Sequence, residues 1–451
     1  MTFHPPAGPT HALGPAPRTR PVLRPDDVLL AIVVGALLMV GWPAANVLRA
    51  AQPPQLTVLV AHVAGMLAGY GVVVLVALMS RTPALERGVG ADRLSRWHGL
   101  GGRSVVALVL VHAWAATSAW ARARQESFGL ALWHVLRLPW LISAAIGTAL
   151  FLVVAVLSVR AARRAVSYET WHAVHLLVYV AVALSFVHQL GGPDLVEHRV
   201  LQVLWALLYS GVFALVLEHR VATPLRIAGR HRMRVAAVHP EGPGVVSIVI
   251  EGRNLHELRA ESGQFFRWRF LNPDLWLTAH PFSLSAPPTS THLRLTIKTL
   301  GDGSTTLQQL EPGTWVLAEG PYGAMTAQRR TRHNVLLFAG GVGITPMRAL
   351  FETLPLGPGQ DLLLLYRART DVDVLFRHEL DHLAAVRGAR VRYLVGEIGP
   401  LTPELLRRHV PDLLDRDVYL CASPGLSTAV RHALRAAGLP AQQLHEERFA
   451  F

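Results

Sequence analysis

Four histidines stand in the hydrophobic half of the chain: His98, His112, His175 and His188. The first two are 14 residues apart and the second two 13. At ~1.5 Å rise per residue each pair spans roughly 20 Å of helix, about two thirds of a bilayer's hydrocarbon core. An ionisable side chain at that depth is costly, which makes it a functional signal by default. Two helices that each offer one histidine near either face could hold two haems, one above the other. An iron with both axial positions filled suits electron transfer. Fourteen residues leave His98 and His112 about 40° apart around a helix, but thirteen leave His175 and His188 about 140° apart. The reading therefore calls for a kink or local unwinding in the second helix. His172 is a rival for His175, whose depth matches His98 better. Interhelical hydrogen bonding would explain one such histidine; four at matched depths on two helices favour ligation. Arg103, one turn beyond His98, either meets a haem propionate or faces the carbonyls of a neighbouring helix. His62 and His134 near the opposite face either serve protons or an external acceptor, or are interfacial and satisfied by water.

The elements that must position these residues are long and apolar. Of 451 residues 51% are hydrophobic and mean hydropathy is +0.33. Six spans are predicted, at 27–48, 56–79, 95–119, 137–159, 169–190 and 200–218, behind a Pro-, Gly- and Arg-rich tail over 1–26. The run at 27–48 starts too late for a signal peptide and is read as a retained helix. Arginines gather before the first span (Arg18, Arg20, Arg24) and between the second and third (Arg81, Arg87, Arg93, Arg96). They gather again between the fourth and fifth (Arg160, Arg163, Arg164) and after the sixth (Arg226, Arg230, Arg232). The positive-inside rule then places both termini in the cytoplasm of a multi-pass cell-membrane protein. His98 and His175 fall near the inner face, and His112 and His188 near the outer. The outer connections 120–136 and 190–199 read as short and without a clear apolar patch, which argues against a docked protein partner. The formal charge of +13 comes almost wholly from arginine, the sole lysine being Lys298. Without a basic stripe interleaved with aromatics, nucleic-acid binding is not expected. One cysteine, Cys421, excludes an internal disulfide and any cysteine-ligated cluster.

From about 221 the pattern changes to short alternating strands, at 232–239, 245–251, 264–270, 292–299 and 315–318, which predict a small antiparallel barrel over 221–331. From 332 to 451 strands at 335–339, 361–366, 390–395 and 417–421 alternate with helices, a doubly wound parallel sheet. After its first strand comes a turn, Gly340-Gly341-Val342-Gly343-Ile344-Thr345-Pro346. Its glycines allow close approach of a pyrophosphate to a helix N-terminus. Arg367 and Arg369 after the second strand suit a 2′-phosphate, hence NADPH, with NADH possible. In the barrel, His280-Pro281-Phe282-Ser283 is a rigid stretch able to lie against a flat ring system. Gly301, Gly303, Ser304 and Thr305 form a second turn able to donate to phosphate.

Together these motifs resemble the ferric reductase and NADPH oxidase superfamily of transmembrane flavocytochromes, in its prokaryotic form. The resemblance covers nearly everything but the N-terminal tail. In that family the third span carries two histidines 14 apart and the fifth two 13 apart, as here, which answers the objection from helical phase. The resemblance implies a six-helix bundle holding two b haems, followed by a ferredoxin-reductase-like module with an FAD barrel and an NAD(P)-binding domain. His280, Pro281, Phe282 and Ser283 match the flavin motif. Lys298 through Thr305 resemble the second flavin element, with Gly303, Ser304 and Thr305 at the FAD pyrophosphate. Gly320-Pro321-Tyr322-Gly323 matches the domain-joining motif, and Gly340, Gly341, Gly343, Thr345 and Pro346 the nicotinamide dinucleotide turn. Cys421-Ala422-Ser423-Pro424 resembles the segment beside the nicotinamide, with Ala422 replacing the usual glycine. Phe449, or else Phe451, would cover the flavin ring. No calcium-binding repeats precede the first span, so calcium activation is not expected. The implied activity takes a hydride from NADPH and passes electrons through FAD and the two haems, one held by His98 and His175, the other by His112 and His188. The fold leaves the external acceptor open; dioxygen, giving superoxide, is the expected one. The alternatives are a ferric chelate, or an extracytoplasmic protein that the chain serves as an electron-delivery module.

Overall fold

The computed structural model describes residues 23–49, 55–159, 166, 168–276, 278–299, 306–323, 325–396 and 401–446. They form two compact units, Leu23–Gly323 and a second from 324 onward.

The first unit opens with α1 (Pro25–Arg49), α2 (Leu56–Leu78), the short α3 (Pro83–Gly88) and α4 (Ala91–Arg124). It continues through α5 (Phe128–Leu136), α6 (Pro139–Ser158), α7 (Tyr168–Leu190) and α8 (Arg199–Leu217). Six helices are long and apolar enough to cross a membrane: Pro25–Asn46, Leu56–Leu78, Arg93–Arg124, Pro139–Ser158, Thr170–Leu190 and Arg199–His231. Leu30, Val33, Leu37 and Leu38 on α1 and Val200, Val203 and Leu207 on α8 are exposed, as a lipid-facing surface requires. The core between the helices includes Met66, Val73, Val105, Val182, Trp205 and Tyr209.

Three expectations are corrected here. The last span does not stop at 218 but runs through a π-turn, Glu218–Ala222, into α9 (Thr223–His231). The barrel therefore starts near 234 rather than 221. Proline at the start of α9 suits a helix, and Pro224 and His231, two turns apart, bury one face of it. The outer stretch 120–136 is not a short loop. α4 continues to Arg124, and Ser127 caps α5 by accepting from Leu130 N–H. α5 leaves Phe128, Leu130, Leu132, Trp133 and Leu136 exposed, so an apolar patch does lie on this connection. Finally, α7 is an uninterrupted α-helix. No unwinding accommodates the phase of its two histidines; the difference is taken up in the direction of their side chains. The expected tail lies, over 1–22, outside the described residues.

The barrel that follows has β1 (Arg234–Gly242), β2 (Val245–Glu251), β3 (Phe265–Phe270), β4 (His280–Ser283), β5 (His292–Lys298) and β6 (Val316–Tyr322). They form two antiparallel sheets, β1-β2-β5 and β4-β3-β6. Bridges Arg234↔Trp315 and Leu284↔Leu295 join the sheets at both seams and close the ring. Alternate residues point inward: Phe266, Trp268 and Phe270 are fully buried with Ile248, Ile250 and Leu295, while Phe265, Arg267 and Arg269 take the outer face.

In the second unit β7 (Asn334–Gly340), β8 (Leu362–Ala368), β9 (Arg390–Val395), β10 (Arg416–Cys421) and β11 (Leu444–Glu446) form one parallel sheet in the order β11-β10-β7-β8-β9. Between them lie α10 (Ile344–Thr353), α11 (Arg377–Arg387), α12 (Pro403–His409) and α13 (Pro424–Ala436). The strand order reverses at β7 and β10, and ligands of such sheets bind beyond the carboxyl ends of the strands at that point.

Candidate functional site

α4 and α7 bring the four histidines together in two pairs. The His98 and His175 ring centres are 6.0 Å apart, and those of His112 and His188 6.3 Å. An iron between two imidazoles, with metal–nitrogen bonds of about 2 Å, sets ring centres roughly 6 Å apart. It is His175, and not His172, whose ring stands 6.0 Å from His98. Nδ1 of His98 lies 3.2 Å from the Leu75 carbonyl and Nδ1 of His112 2.8 Å from that of Ala61. Both carbonyls belong to α2. A carbonyl can only accept, so each Nδ1 carries the proton and Nε2 keeps its lone pair for a metal. The Nδ1 atoms of His175 and His188 are buried with no hydrogen-bond partner among the described residues. Trp171 stacks on the His175 ring at 5.0 Å.

A cavity of about 660 Å³ opens around His112 and His188, with Gly65, Gly69, Ala113 and Phe151 in its wall. Its volume lies within the range of cofactor sites. A Cβ on Gly65 would come 2.7 Å from His112 Nδ1, and one on Gly69 2.8 Å from the Trp205 ring. Small residues on α2 thus make the room in which the histidine reaches its carbonyl. The donor set, the spacing and the cavity fit a bis-histidine haem at this level, and the donor set and spacing fit one at the His98–His175 level. Among the described residues no group of three or more His, Cys, Asp or Glu side chains could hold a bare metal ion.

The residues missed by sequence reasoning are Leu75, Ala61 and Gly65, which act through backbone. The only advance signal was the recurrence of small residues along α2. Arg103 is exposed on α4. His62 and His134 both carry carboxylate partners, Asp194 and Glu126, each at 2.9 Å. His62 and Asp194 also line the cavity.

In the barrel, His280–Ser283 is strand β4, paired antiparallel with β3. Trp268 Nε1 donates to the Phe282 carbonyl at 3.1 Å, and the His280 and Phe282 rings lie parallel within 10°. Ser283 Oγ is buried without a partner among the described residues, so the strand has an unused donor where a flavin would lie. Lys298 ends β5; Gly303, Ser304 and Thr305 fall outside the described residues, as do Phe449 and Phe451.

In the second unit the glycine turn closes on the end of β10. A Cβ on Gly343 would lie 2.2 Å from the Cys421 carbonyl oxygen, and one on Gly340 2.8 Å from Ala422 Cβ. Gly341 adopts φ +55° with open space beside it. Ala422, where a glycine was expected, is accommodated because Gly340 faces it. Thr345 Oγ1 donates to the Val342 carbonyl at 3.1 Å, and Pro346 is buried in the first turn of α10. The Cys421 side chain is buried at the strand end. Of the two arginines at the end of β8, Arg367 lies within the strand and donates to the Leu394 carbonyl at 3.0 Å, whereas Arg369, just beyond it, is exposed. β11 runs parallel to β10 and pairs Glu446 with Leu420.

Residues 64–186 match the ferric reductase like transmembrane component family, and residues 337–432 the oxidoreductase NAD-binding domain family. A glycine betaine monooxygenase reductase subunit of Chromohalobacter salexigens is 26% identical over 249 residues, 51% of this chain and 67% of that protein. Ferredoxin–NADP reductase B of Sorangium cellulosum is 29% identical over 236 residues, 48% of this chain and 96% of that protein. Among solved structures, the FAD/NAD-binding domain of a Vibrio cholerae nitric oxide dioxygenase is 23% identical. It aligns with a TM-score of 0.41 over 48% of this chain and 98% of that one. Among the described residues, six apolar helices, two of which (α4 and α7) carry the paired histidines, precede an antiparallel barrel and a parallel sheet. The chain is an oxidoreductase that joins a ferric-reductase-like transmembrane domain to an NAD-binding oxidoreductase domain.

Proposed function

We propose that this protein moves electrons from cytoplasmic NADPH, by way of FAD and two b haems, to dioxygen on the outer face of the cell membrane, releasing superoxide. The observation that carries this reading is the pair of facing histidine pairs on α4 and α7, with ring centres 6.0 and 6.3 Å apart. The flavin converts a two-electron hydride into single electrons, and bis-histidine haem supplies one-electron storage. The chain's own part is to position. α2 carbonyls hold the proton on Nδ1 of His98 and His112, which leaves Nε2 free to hold a haem. Arg369, exposed beyond β8, would meet a 2′-phosphate, and the glycine turn would admit the pyrophosphate to the N-terminus of α10. No side chain need act as acid or base in the electron transfer. His112 and His188 would both be taken up in holding a haem, so the acceptor would be reduced at the haem's edge. The arginine-rich connections support cytoplasmic termini.

The test is NADPH oxidation in air by purified protein supplied with haem and FAD, with superoxide measured with and without superoxide dismutase. Superoxide equal to the electrons delivered is expected. Slow oxidation that a ferric chelate accelerates would make the protein a chelate reductase. Haems that stay reduced with both acceptors would point to a protein acceptor, for which the exposed face of α5 is the surface to examine.

A further inference from the structure

The carbonyls in the last turn of a helix have no amide of that helix to bond, and in α2 several of their partners come from other elements. α2 ends at Leu78. The Met79 N–H turns back to the Val76 carbonyl at 3.2 Å, which leaves the Leu75 carbonyl without the amide one helical turn on. His98 Nδ1 takes that place at 3.2 Å. The Ser80 N–H and hydroxyl both donate to the Ala77 carbonyl, at 3.1 and 2.7 Å. The Met79 carbonyl accepts twice from Arg220, from Nε at 2.9 Å and from Nη2 at 2.7 Å. A cation is favoured at this end of a helix. Arg220 belongs to the π-turn Glu218–Ala222, and turns of this kind often mark functional positions. The acid of the same turn, Glu218, is engaged by the Thr223 hydroxyl at 3.0 Å and by Arg226. Beyond the turn, α9 is fastened to the barrel. His231 Nδ1 donates to the Arg253 carbonyl at 2.9 Å, the Arg253 N–H to the His231 carbonyl at 2.8 Å, and Arg230 Nη2 to Glu257 at 2.8 Å.

We propose that Arg220 is a positioning residue for the inner histidine pair. By holding the Met79 carbonyl it keeps the end of α2 in the tight turn that offers the Leu75 carbonyl to His98. Arg220 rides on the helix that carries the barrel, so the attachment of the barrel orients the His98 ring. The partner of a ligating histidine's second nitrogen fixes its ring and tunes the metal. The proposal rests on the haem reading above. His112 is outside its reach, because Ala61, whose carbonyl orients it, lies about five turns before Met79 in α2.

The experiment records low-spin electron paramagnetic resonance and midpoint potentials of the oxidised full chain in R220M, R220Q and R220K, with R232Q as a control for loss of charge. The g values of a bis-histidine haem report the angle between its two imidazole planes, so they read ring orientation directly. Wild-type protein should give two low-spin signals, and His98→Ala identifies the inner one by removing it. R220M and R220Q should shift that signal and leave the other unmoved. R220K, which restores a charged donor, should return most of the shift, and R232Q should change nothing. Two unmoved signals would overturn the proposal. So would equal shifts in both, which would mark a general loosening of the helices, or a moved midpoint with unmoved g values, which would mean that Arg220 acts by charge alone. If R220M does not fold, R220Q, with its shorter neutral donor, decides by the same signal. Wild-type protein that takes up no haem would defeat the functional reading itself, before any variant is compared.

Discussion

Each of the two histidine pairs makes a separate prediction. His112→Ala or His188→Ala should remove one of two haems and stop acceptor reduction, while His172→Ala should leave both; haem content and absorbance check this. Retention of both haems without His112 would sink the pairing. The coenzyme assignment narrows to a single side chain. Arg367 is tied to the Leu394 carbonyl, so Arg369 is the cation left to meet a 2′-phosphate. A charge-assisted hydrogen bond is worth roughly 1.5–3 kcal/mol. Arg369→Ala should therefore raise the KM for NADPH by roughly ten- to a hundredfold and leave that for NADH nearly unchanged. Equal effects on both would refute the preference.

Among the elements, α2 does more than its apolar sequence suggests. Its carbonyls orient His98 and His112, Gly65 makes room for His112, and Gly69 O accepts from the buried Tyr209 hydroxyl at 2.9 Å. Gly65→Ala would push a methyl to within 2.7 Å of His112 Nδ1. It should lower haem content at the outer level and spare the inner one, which haem quantification on the purified variant would show. In the parallel sheet, Asp417 is fully buried at the start of β10. Burial pushes its carboxyl up, but hydrogen bonds from His445, the Arg332 and Thr331 N–H groups and the Thr331 hydroxyl outweigh that and hold it below the usual aspartate range. A carboxylate depressed in the folded state stabilises above its unfolded value, and that stability is lost as pH falls through the folded value. Thermal melts should thus show this domain weakening below about pH 4. Asp417→Asn should flatten that fall and cost roughly 1.5–3 kcal/mol at neutral pH; a variant melting like wild type at pH 7 would show that the network is not stabilising.

For the whole molecule the proposed direction of transfer makes NADPH oxidation sidedness a direct readout. Inside-out vesicles should oxidise added NADPH, and sealed right-side-out vesicles should not until permeabilised. Activity in the sealed right-side-out preparation would reverse the topology drawn from the arginines. The grouping of barrel and helices in one compact unit, Leu23–Gly323, also differs from a division at 220. The helix through α9 carries the membrane segment directly into β1.

Much was legible without coordinates because it depends on local pattern. Apolar runs long enough to span a bilayer, the period-two strands and the glycine turn each follow from a few neighbouring residues, and the structure has these elements. The depth of the four histidines also follows from counting along a helix. Their partners did not, because a carbonyl of Leu75 or Ala61 is the same in every residue and only packing brings it within reach. Tertiary structure also set His175 rather than His172 opposite His98. It extended the last helix to His231 and folded 128–136 into α5, where pattern alone had suggested a barrel start and a loop. Spacing along a chain sets which residues share a level or a face; only packing between helices and strands decides which of them meet.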